Sequence, residues 1–363
     1  MVAFRYEKWD ADLLRKLTEF ATLMALFQHL LLQANGDVER TLQYMKRLQE
    51  MGYIDGKADL AAFRQSLEEQ RIISTEPGFP VLTRKGERMI RHDALNRIFN
   101  NLKRGAFGEH RTPLAGDWGE RLPETRPYQF GEEVSALDVQ RTMHNSLIRT
   151  GAELRLGEQD FEVNETEHLT SCATVLLLDI SHSMILYGED RITPAKKVAL
   201  ALAELIQTRY PKDSLNVCLF GDDAVEVKVD RLPYVGAGPY HTNTRAALQL
   251  AQRILLRKKH PNRQIFMVTD GKPSAIHEGG RLYKNPFGLD PKIVGKTLEE
   301  AAACRRNKIV VTTFMLTEDP TLVDFVNKLT QINRGRAYFS SADNLGGSIF
   351  VDYLKNRKKK IGH

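Results

Sequence analysis

The feature that most constrains the fold is the alternation of aliphatic runs and amphipathic stretches after Ser171. The strand-length apolar runs are TVLLLD (174–179), LNVCLF (215–220), AVEVKV (224–229), QIFMVTD (264–270), IVVTTFML (309–316) and RAYFS (336–340). Sequence with helical periodicity fills most of the intervals between them. Nearly continuous apolar strands separated by helices predict an α/β domain whose doubly wound, mostly parallel sheet is covered on both faces.

One strand breaks this rule. The run at 224–229 follows its predecessor without room for a helix, so we expect it to form the antiparallel edge strand of the sheet. In doubly wound sheets, ligands bind at the carboxyl ends of the strands, and this edge is where candidate functional residues are sought.

Residues 1–104 are predicted to form a mainly helical domain that resembles a winged helix. Helical patterns at 41–55 and 59–73 are followed by a Pro/Gly hairpin and a further helix. Residues 1–100 contain 15 basic and 14 acidic residues, and the second helix carries Glu68 and Glu69. Since this charge does not suit a phosphate backbone, we favour a protein-interaction module over a nucleic-acid-binding one.

Three further boundaries follow from composition. Residues 105–170 form a Gly- and Pro-rich extended connector that we expect to pack on the next domain, anchored by Trp118, Tyr128, Phe130 and Phe161. The α/β domain is placed at 171–355 and a basic tail at 356–363. The interval 171–363 holds 29 basic and 19 acidic residues, which indicates a surface suited to an acidic partner.

Polar residues gather where the predicted strands end. Asp179, Ser181 and Ser183 follow the first strand, and Asp270 ends another. Thr242 and Thr244 lie in a loop before a helix. Oxygen ligands without His or Cys suit Mg²⁺, or Mn²⁺, and do not suit zinc. The sequence therefore predicts a divalent-cation site at this edge.

The same residues carry a family resemblance. The D-x-S-x-S motif, a threonine in TNTxxAL and an aspartate in VTDG resemble the metal-ion-dependent adhesion site (MIDAS) of von Willebrand factor A (VWA) domains. The resemblance covers about 171–355. It implies that Ser181 and Ser183 bind the metal directly and that Thr242 binds directly or through water. It assigns Asp179 and Asp270 roles mainly through water molecules, with Thr244 as the lesser candidate.

One departure from the VWA pattern concerns the threonine loop. The usual GGT is replaced by PYHT, which places Tyr240 and His241 beside Thr242. We expect this change to alter access to the metal.

A second resemblance extends over most of the chain. The segments that carry it are ETRPYQFGEE, DFEVNETE, PAKKVALAL, NRQIFMVTDGKPSA and the sequence from Thr312 to Phe339. They are similar to bacterial proteins likened to the D subunit of magnesium chelatase. That likeness implies a partnership with an AAA+ ATPase of the MoxR or chelatase type.

The resulting hypothesis is a non-enzymatic adaptor that couples such an ATPase to a client protein offering an Asp or Glu to the metal. The alternatives are an accessory subunit of a metal-inserting chelatase and a winged-helix nucleic-acid-binding regulator. The chain has neither the degenerate ATPase domain nor the long proline- and acid-rich linker of a true D subunit.

Enzymatic readings have weaker support. His182 lies between two serines, but adjacent residues at a strand end point apart, and no acid is placed to orient the ring. The sequence GLDPKIVGKT at 288–297 has the wrong glycine spacing for a phosphate-binding loop and lacks a preceding apolar strand. We therefore expect no catalytic residues and no autonomous ATP hydrolysis.

Cysteine use and the N-terminus favour a cytoplasmic protein. Cys172, Cys218 and Cys304 are widely spaced in apolar surroundings, which predicts buried thiols rather than disulfides. The first residues are charged from the fourth onward, unlike a signal peptide, and the most apolar window, at 20–34, is too short to span a bilayer.

Overall fold

The computed structural model describes most of the chain. The described residues are 11–55, 58–76, 79–105, 125–128, 138–151, 156–164, 171–188, 190–238, 240–270, 272–285, 287–317, 319–341 and 344–357. Contacts divide the chain into two compact units, one formed by residues 1–104 together with 171–363 and the other by residues 105–170. Most of the predicted connector, including Trp118 and Phe130, and most of the basic tail lie outside the described residues.

The N-terminal region is helical with one hairpin. Its elements are α1 (Ala11–Gln33), α2 (Val38–Glu50), α3 (Leu60–Glu69), β1 (Ile73–Glu76), β2 (Phe79–Leu82) and α4 (Arg84–Gly105), with β1 and β2 antiparallel. Asp37 and Asp59 cap α2 and α3 by accepting backbone N–H bonds. The helix predicted over 59–73 is α3, and it ends at Glu69. It stops early because Arg71 has a left-handed φ of +55°, after which Ile72 and Ile73 are buried and lead into the hairpin.

The second unit contains β3 (Thr125–Pro127), α5 (Val139–Thr150), a 3₁₀ turn at Glu158–Asp160 and β4 (Glu162–Asn164). The two strands pair antiparallel. Within this unit, Arg149 donates to both oxygens of the buried Asp160 carboxylate, at 2.9 and 2.7 Å. The Tyr128 and Phe161 rings are in contact, with centroids 6.1 Å apart. An ion pair and an aromatic pair therefore hold this small unit together.

The remaining chain forms the α/β domain. Its elements are β5 (Cys172–Asp179), α6 (Ile192–Arg209), β6 (Ser214–Phe220), β7 (Ala224–Val227), α7 (Thr244–Leu256), β8 (Asn262–Thr269), β9 (Ala275–Glu278), β10 (Arg281–Lys284), α8 (Pro291–Arg306), β11 (Ile309–Met315), α9 (Pro320–Asn333), β12 (Arg336–Phe339) and α10 (Leu345–Arg357). The main sheet has the order β12-β11-β8-β5-β6-β7, and every pairing in it is parallel except that of β6 with β7. The predicted fold class, with its antiparallel edge strand, is confirmed.

The central strand β5 shows why the apolar runs are continuous. Its eight residues are all buried. Leu176 and Leu178 pack into the core on one face, while Val175 and Leu177 pack into the core on the other. Apart from Thr174, whose hydroxyl accepts a hydrogen bond from the Gln264 amide, the interior of β5 is apolar, which is why Asp179 marks the end of the strand so clearly.

The N-terminal helices belong to the first of these two cores. Phe27 and Leu31 of α1 are fully buried in the same cluster as Leu200 of α6. All three cysteines are free and buried, as predicted, and burial raises the pKa of the Cys218 and Cys304 thiols to about 12. Among the described helices, none combines the length and the apolar character needed to cross a membrane.

Candidate metal centre

The centre of the site is Asp179, the last residue of β5. Its side chain is fully buried, and both carboxylate oxygens accept hydrogen bonds. Oδ1 accepts from the backbone N–H of Ser181 at 2.8 Å, and Oδ2 accepts from the Thr269 hydroxyl at 2.5 Å. Burial, together with the nearby charge of Asp270, raises the pKa of Asp179 to about 7. An additional cation would favour the ionised carboxylate.

The strand register explains the contact with Thr269. Leu178 of β5 pairs with Val268 of the parallel strand β8, so the residues that follow them lie side by side at the carboxyl edge. Asp179 therefore meets Thr269, and Asp270 comes next along the chain. Parallel pairing of two apolar strands that are neighbours in the sheet is what brings the two acids, 91 positions apart in the sequence, to one edge.

The two serines and the second acid form a continuous chain of oxygen atoms. The Ser181 and Ser183 hydroxyl oxygens are 3.0 Å apart, and the Ser183 hydroxyl donates to Oδ1 of Asp270 at 2.8 Å. Ser181 and Asp270 are buried, and Ser183 is half-buried. Four of the five predicted metal-site residues are thus in one hydrogen-bonded cluster.

Thr242 reaches the same edge by its backbone. The residue is buried, its N–H donates to the Ser274 hydroxyl at 3.0 Å, and its carbonyl accepts from the Ser274 N–H at 2.9 Å. Within the described residues, the Thr242 hydroxyl makes no hydrogen bond to Ser181, Ser183 or Asp270. Thr244 is also buried and is the first residue of α7. Thr242 therefore belongs to a loop that is bonded to the serine loop, because the Tyr240 carbonyl accepts from the His182 N–H, but it is not part of the hydrogen-bonded cluster itself.

In the PYHT loop, which replaces the usual GGT, two glycines provide the space for the Tyr240 side chain. The Tyr240 ring packs so closely on Gly221 and Gly238 that a Cβ atom at either glycine would lie 2.7 Å and 2.2 Å, respectively, from the nearest Tyr240 atom. The neighbouring His241 is held by Asp222, whose Oδ1 accepts the His241 N–H at 2.7 Å. Tyr240 in turn fixes the serine loop, because its carbonyl accepts from the His182 N–H at 3.1 Å. The substituted loop is therefore well anchored beside the metal-site residues.

Three residues of the site were not identified from the sequence. Thr269 orients Asp179, Ser274 holds Thr242, and Arg191 donates from Nη1 to Oδ2 of Asp270 at 2.5 Å. Thr269 and Ser274 both lie in the segment VTDGKPS around Asp270, and their closeness to that acid in the sequence could have identified them as candidates. Arg191 lies far from Asp270 in the sequence and gave no comparable signal.

The set of donor atoms fits a hard divalent cation. Among the described residues, no group of three or more His, Cys, Asp or Glu side chains could hold a metal ion. The cluster instead offers hydroxyl and carboxylate oxygens. Mg²⁺ takes octahedral ligands at about 2.0–2.1 Å, which places neighbouring ligand atoms roughly 3 Å apart. The hydrogen-bonded oxygen atoms of the serine–aspartate chain, 3.0 and 2.8 Å apart, are spaced closely enough to share such an ion.

The structure also describes the two segments that resemble enzyme motifs. His182 is exposed, whereas the Ser181 and Ser183 hydroxyls lie within hydrogen-bonding distance of each other and the Ser183 hydroxyl donates to Asp270. The start of α8, within the 288–297 segment, is capped by Asp290, which accepts from the N–H groups of Lys292 and Ile293. An anionic cap at that helix terminus disfavours a phosphate in the same place.

Comparison with protein families gives two matches. The model of the vWA domain of Rv0959-like proteins matches residues 172–354, and the model of the third domain of Rv0959-like proteins matches residues 120–166. The Mycobacterium tuberculosis protein Rv0959 and the Mycobacterium bovis protein Mb0984 are each 32% identical to this chain over 325 residues. Each alignment covers 86% of this chain and 48% of the relative, so the chain spans about half the length of these curated relatives.

Similar solved structures include the PilB minor pilin from Streptococcus sanguinis, with 15% identity and a TM-score of 0.40 over 52% of this chain and 62% of the pilin. Another is the vWF domain of the type V pili tip protein Mfa5 from Porphyromonas gingivalis. It has 11% identity and a TM-score of 0.40 over 53% of this chain and 98% of that one.

Proposed function

This chain belongs to the Rv0959-like family of vWA-domain proteins, and from that premise we propose that it is a metal-dependent protein-interaction adaptor without catalytic activity of its own. In this proposal the five residues Asp179, Ser181, Ser183, Thr242 and Asp270 hold Mg²⁺, and a partner protein supplies a carboxylate to the metal. The observation that carries the proposal is the convergence of Ser181, Ser183 and Asp270 in one chain of oxygen atoms at the carboxyl edge of the sheet, since oxygen is the ligand type that Mg²⁺ prefers.

The residues have distinct tasks. Ser181, Ser183 and Thr242 present neutral hydroxyl oxygens. Asp179 accepts from the backbone N–H of Ser181, and Asp270 accepts from the Ser183 hydroxyl, so the two acids hold the serine loop in place. Bound Mg²⁺ would supply an electrostatic contact for an external carboxylate. Because the hydroxyls are neutral, the protein neutralises the dication only in part, and an anionic partner group is favoured. The surrounding burial strengthens that contact by lowering the local dielectric constant.

The finer proposal concerns the partners. By the chelatase-like resemblance, the adaptor couples an AAA+ ATPase of MoxR or chelatase type to a client protein that carries the Asp or Glu. The exposed Glu68 and Glu69 on α3 do not favour the nucleic-acid alternative, because they would face phosphate with like charge. The structure offers no observation that favours the chelatase-subunit alternative.

Metal binding can be tested directly by calorimetric titration of the full chain with Mn²⁺. We expect binding by the wild-type protein and none by a Ser181→Ala, Ser183→Ala double variant, which removes two hydroxyls with little change in volume. Ser340→Ala, Ser348→Ala is the matched control, since these hydroxyls donate to nearby backbone carbonyls, those of Ser341 and Asn344, and not to the predicted metal-site residues. Absence of Mn²⁺ binding to wild-type protein that is folded by circular dichroism contradicts the proposal.

Partner docking needs a second experiment. Affinity purification from native lysate is run in Mg²⁺ and in EDTA with the wild type and the double variant. We expect an AAA+ ATPase or its client to be recovered only with Mg²⁺ and the intact site. Equal recovery under all conditions would place docking elsewhere on the chain.

A further inference from the structure

Arg191 places a permanent positive charge against the proposed metal site. It directly precedes α6, and its Nη1 donates to Oδ2 of Asp270 at 2.5 Å. The Asp270 side chain is fully buried and the Arg191 side chain is 18% exposed. The two oxygens of Asp270 are thus divided, with Oδ1 bonded to Ser183 and Oδ2 bonded to the guanidinium.

The position of Arg191 is fixed by its backbone. Its N–H donates to the carbonyl of Met184, in the 3₁₀ turn that follows the serines, at 3.1 Å. Its carbonyl accepts from Ala195 at 3.4 Å, in the first turn of α6. The backbone of Arg191 is therefore tied both to the turn that follows the serines and to the start of α6, which holds its guanidinium group within reach of Asp270.

Asp190, which immediately precedes Arg191, accepts its hydrogen bond elsewhere. Oδ1 of Asp190 accepts from the N–H of Thr193 at 3.0 Å, at the start of α6. Among the residues that the structure describes, the ionisable side chains of this hydrogen-bonded cluster are two carboxylates, Asp179 and Asp270, and one guanidinium, Arg191. When all three are ionised, the metal-free site carries a net charge of −1, and binding of a dication brings it to +1. With a neutral residue at position 191, the metal-free site would carry −2 and the metal-loaded site would carry 0.

We infer that Arg191 is a resident cation of the site that weakens metal binding and strengthens the binding of an anionic partner to the metal-loaded site. The inference rests on the proposed function, because it concerns the same metal and the same partner carboxylate. Its physical basis is that a unit positive charge opposes the entry of a dication. Once the dication is bound, the same charge leaves the site net positive and attracts a carboxylate.

The test uses Arg191→Gln with Arg253→Gln as the charge-matched control. Arg253 is an exposed arginine in the last turn of α7, whereas the Thr242 loop adjoins the first turn of that helix. Mn²⁺ affinity is measured by calorimetry. Acetate, as a minimal carboxylate, is then titrated into the Mn²⁺-loaded protein, and its binding is followed by the longitudinal relaxation of water protons.

We expect Arg191→Gln to bind Mn²⁺ about tenfold more tightly than wild type, the order expected for removal of a unit charge near a dication. Acetate should bind to the loaded variant several-fold more weakly. Arg191→Lys, which keeps the charge, should restore both values toward wild type. Arg253→Gln should change neither.

Each contrary outcome is distinct. If wild type binds Mn²⁺ and Arg191→Gln binds it equally or more weakly, the role of Arg191 is wrong and the proposed metal site stands. If neither protein binds Mn²⁺, the proposed function fails and this inference fails with it. Folding of the variant gives two further outcomes. If Arg191→Gln folds only when Mn²⁺ is present, the metal takes the place of the guanidinium charge, which supports the inference. If Arg191→Gln does not fold even with Mn²⁺, Arg191 has a purely structural role and the inference is overturned.

Discussion

Lys196 of α6 donates a hydrogen bond from Nζ to the carbonyl oxygen of Leu32, near the end of α1, at 2.5 Å. The same ammonium group bonds to Oδ1 of Asn35 and to the carbonyl of Val235. The side chain is fully buried. Lys196 thus satisfies carbonyl groups at the end of an N-terminal helix from within the α/β domain, and it joins the two regions into one unit.

Lys196 should make stability depend on pH in the alkaline range. Burial lowers its pKa to about 8, below the value of about 10.5 expected in the unfolded chain. Between these two values the folded state binds fewer protons than the unfolded state, so the free energy of unfolding rises with pH. We expect a Lys196-dependent gain of about 2 kcal/mol between pH 7.5 and pH 10.

The measurement is urea unfolding of wild type and Lys196→Met at both pH values, since the difference between the two proteins cancels other titrating groups. Lys259→Met, at an exposed position, is the control. An identical pH dependence in wild type and Lys196→Met would show that the buried ammonium does not titrate in this range.

Thr269→Val should destabilise the protein through Asp179. Valine keeps the shape of threonine but removes the hydroxyl that bonds to Oδ2 of Asp179, which leaves a buried carboxylate oxygen short of a donor. The expected cost is about 1–3 kcal/mol of unfolding free energy. Mn²⁺ affinity should also fall, because the acid loses its fixed orientation.

Thr312→Val is the matched control for Thr269→Val. Thr312 lies in β11 of the same sheet and is fully buried, and its hydroxyl has no hydrogen-bond partner within the described residues. Valine there should leave stability unchanged or raise it. The free energy of unfolding of both variants is measured with urea. If both lose the same amount of stability, the loss in Thr269→Val does not come from its bond to Asp179.

Ser274→Ala should impair metal binding more than folding. The Ser274 hydroxyl accepts from the Thr242 N–H at 3.0 Å, and this bond fixes the loop that carries the threonine. We expect Mn²⁺ affinity to fall about tenfold, as is usual for residues that orient a ligand. The thermal midpoint should change by only a few degrees, and Ser348→Ala in α10 should behave like wild type. If the Mn²⁺ affinity of Ser274→Ala equals that of wild type, the bond from Thr242 to Ser274 does not contribute to metal binding.

The second unit should lose order in acid as Asp160 is protonated. Hydrogen bonds from Arg149 and from the Gly157 N–H lower the pKa of Asp160 to about 2. The stabilisation is therefore complete above the unfolded value near 3.8 and is lost as pH falls through about 2. Amide hydrogen exchange in α5, followed between pH 5 and pH 2, should show falling protection. Asp160→Asn should show low protection throughout, and protection equal to wild type at pH 5 would contradict the role of this ion pair.

The sequence was informative where burial is two-sided. Strands such as β5 are buried along their whole length and are mostly apolar, so their approximate limits and the antiparallel edge strand could be predicted from composition and spacing. The residues that end those strands, Asp179 and Asp270, could be assigned to one edge for the same reason. Helix ends were less accessible, as at Arg71, where a left-handed residue stops α3 early.

The sequence by itself determined the fold class and the predicted oxygen-rich edge, because hydrophobic periodicity and strand ends are local properties that pairing rules convert into positions. Only the tertiary structure decided which groups surround that edge. Arg191 on Asp270, Ser274 on Thr242 and Lys196 on Leu32 are contacts between distant segments. Each depends on how loops and helices pack in three dimensions, and polar pairs of this kind leave no periodic signal in the chain.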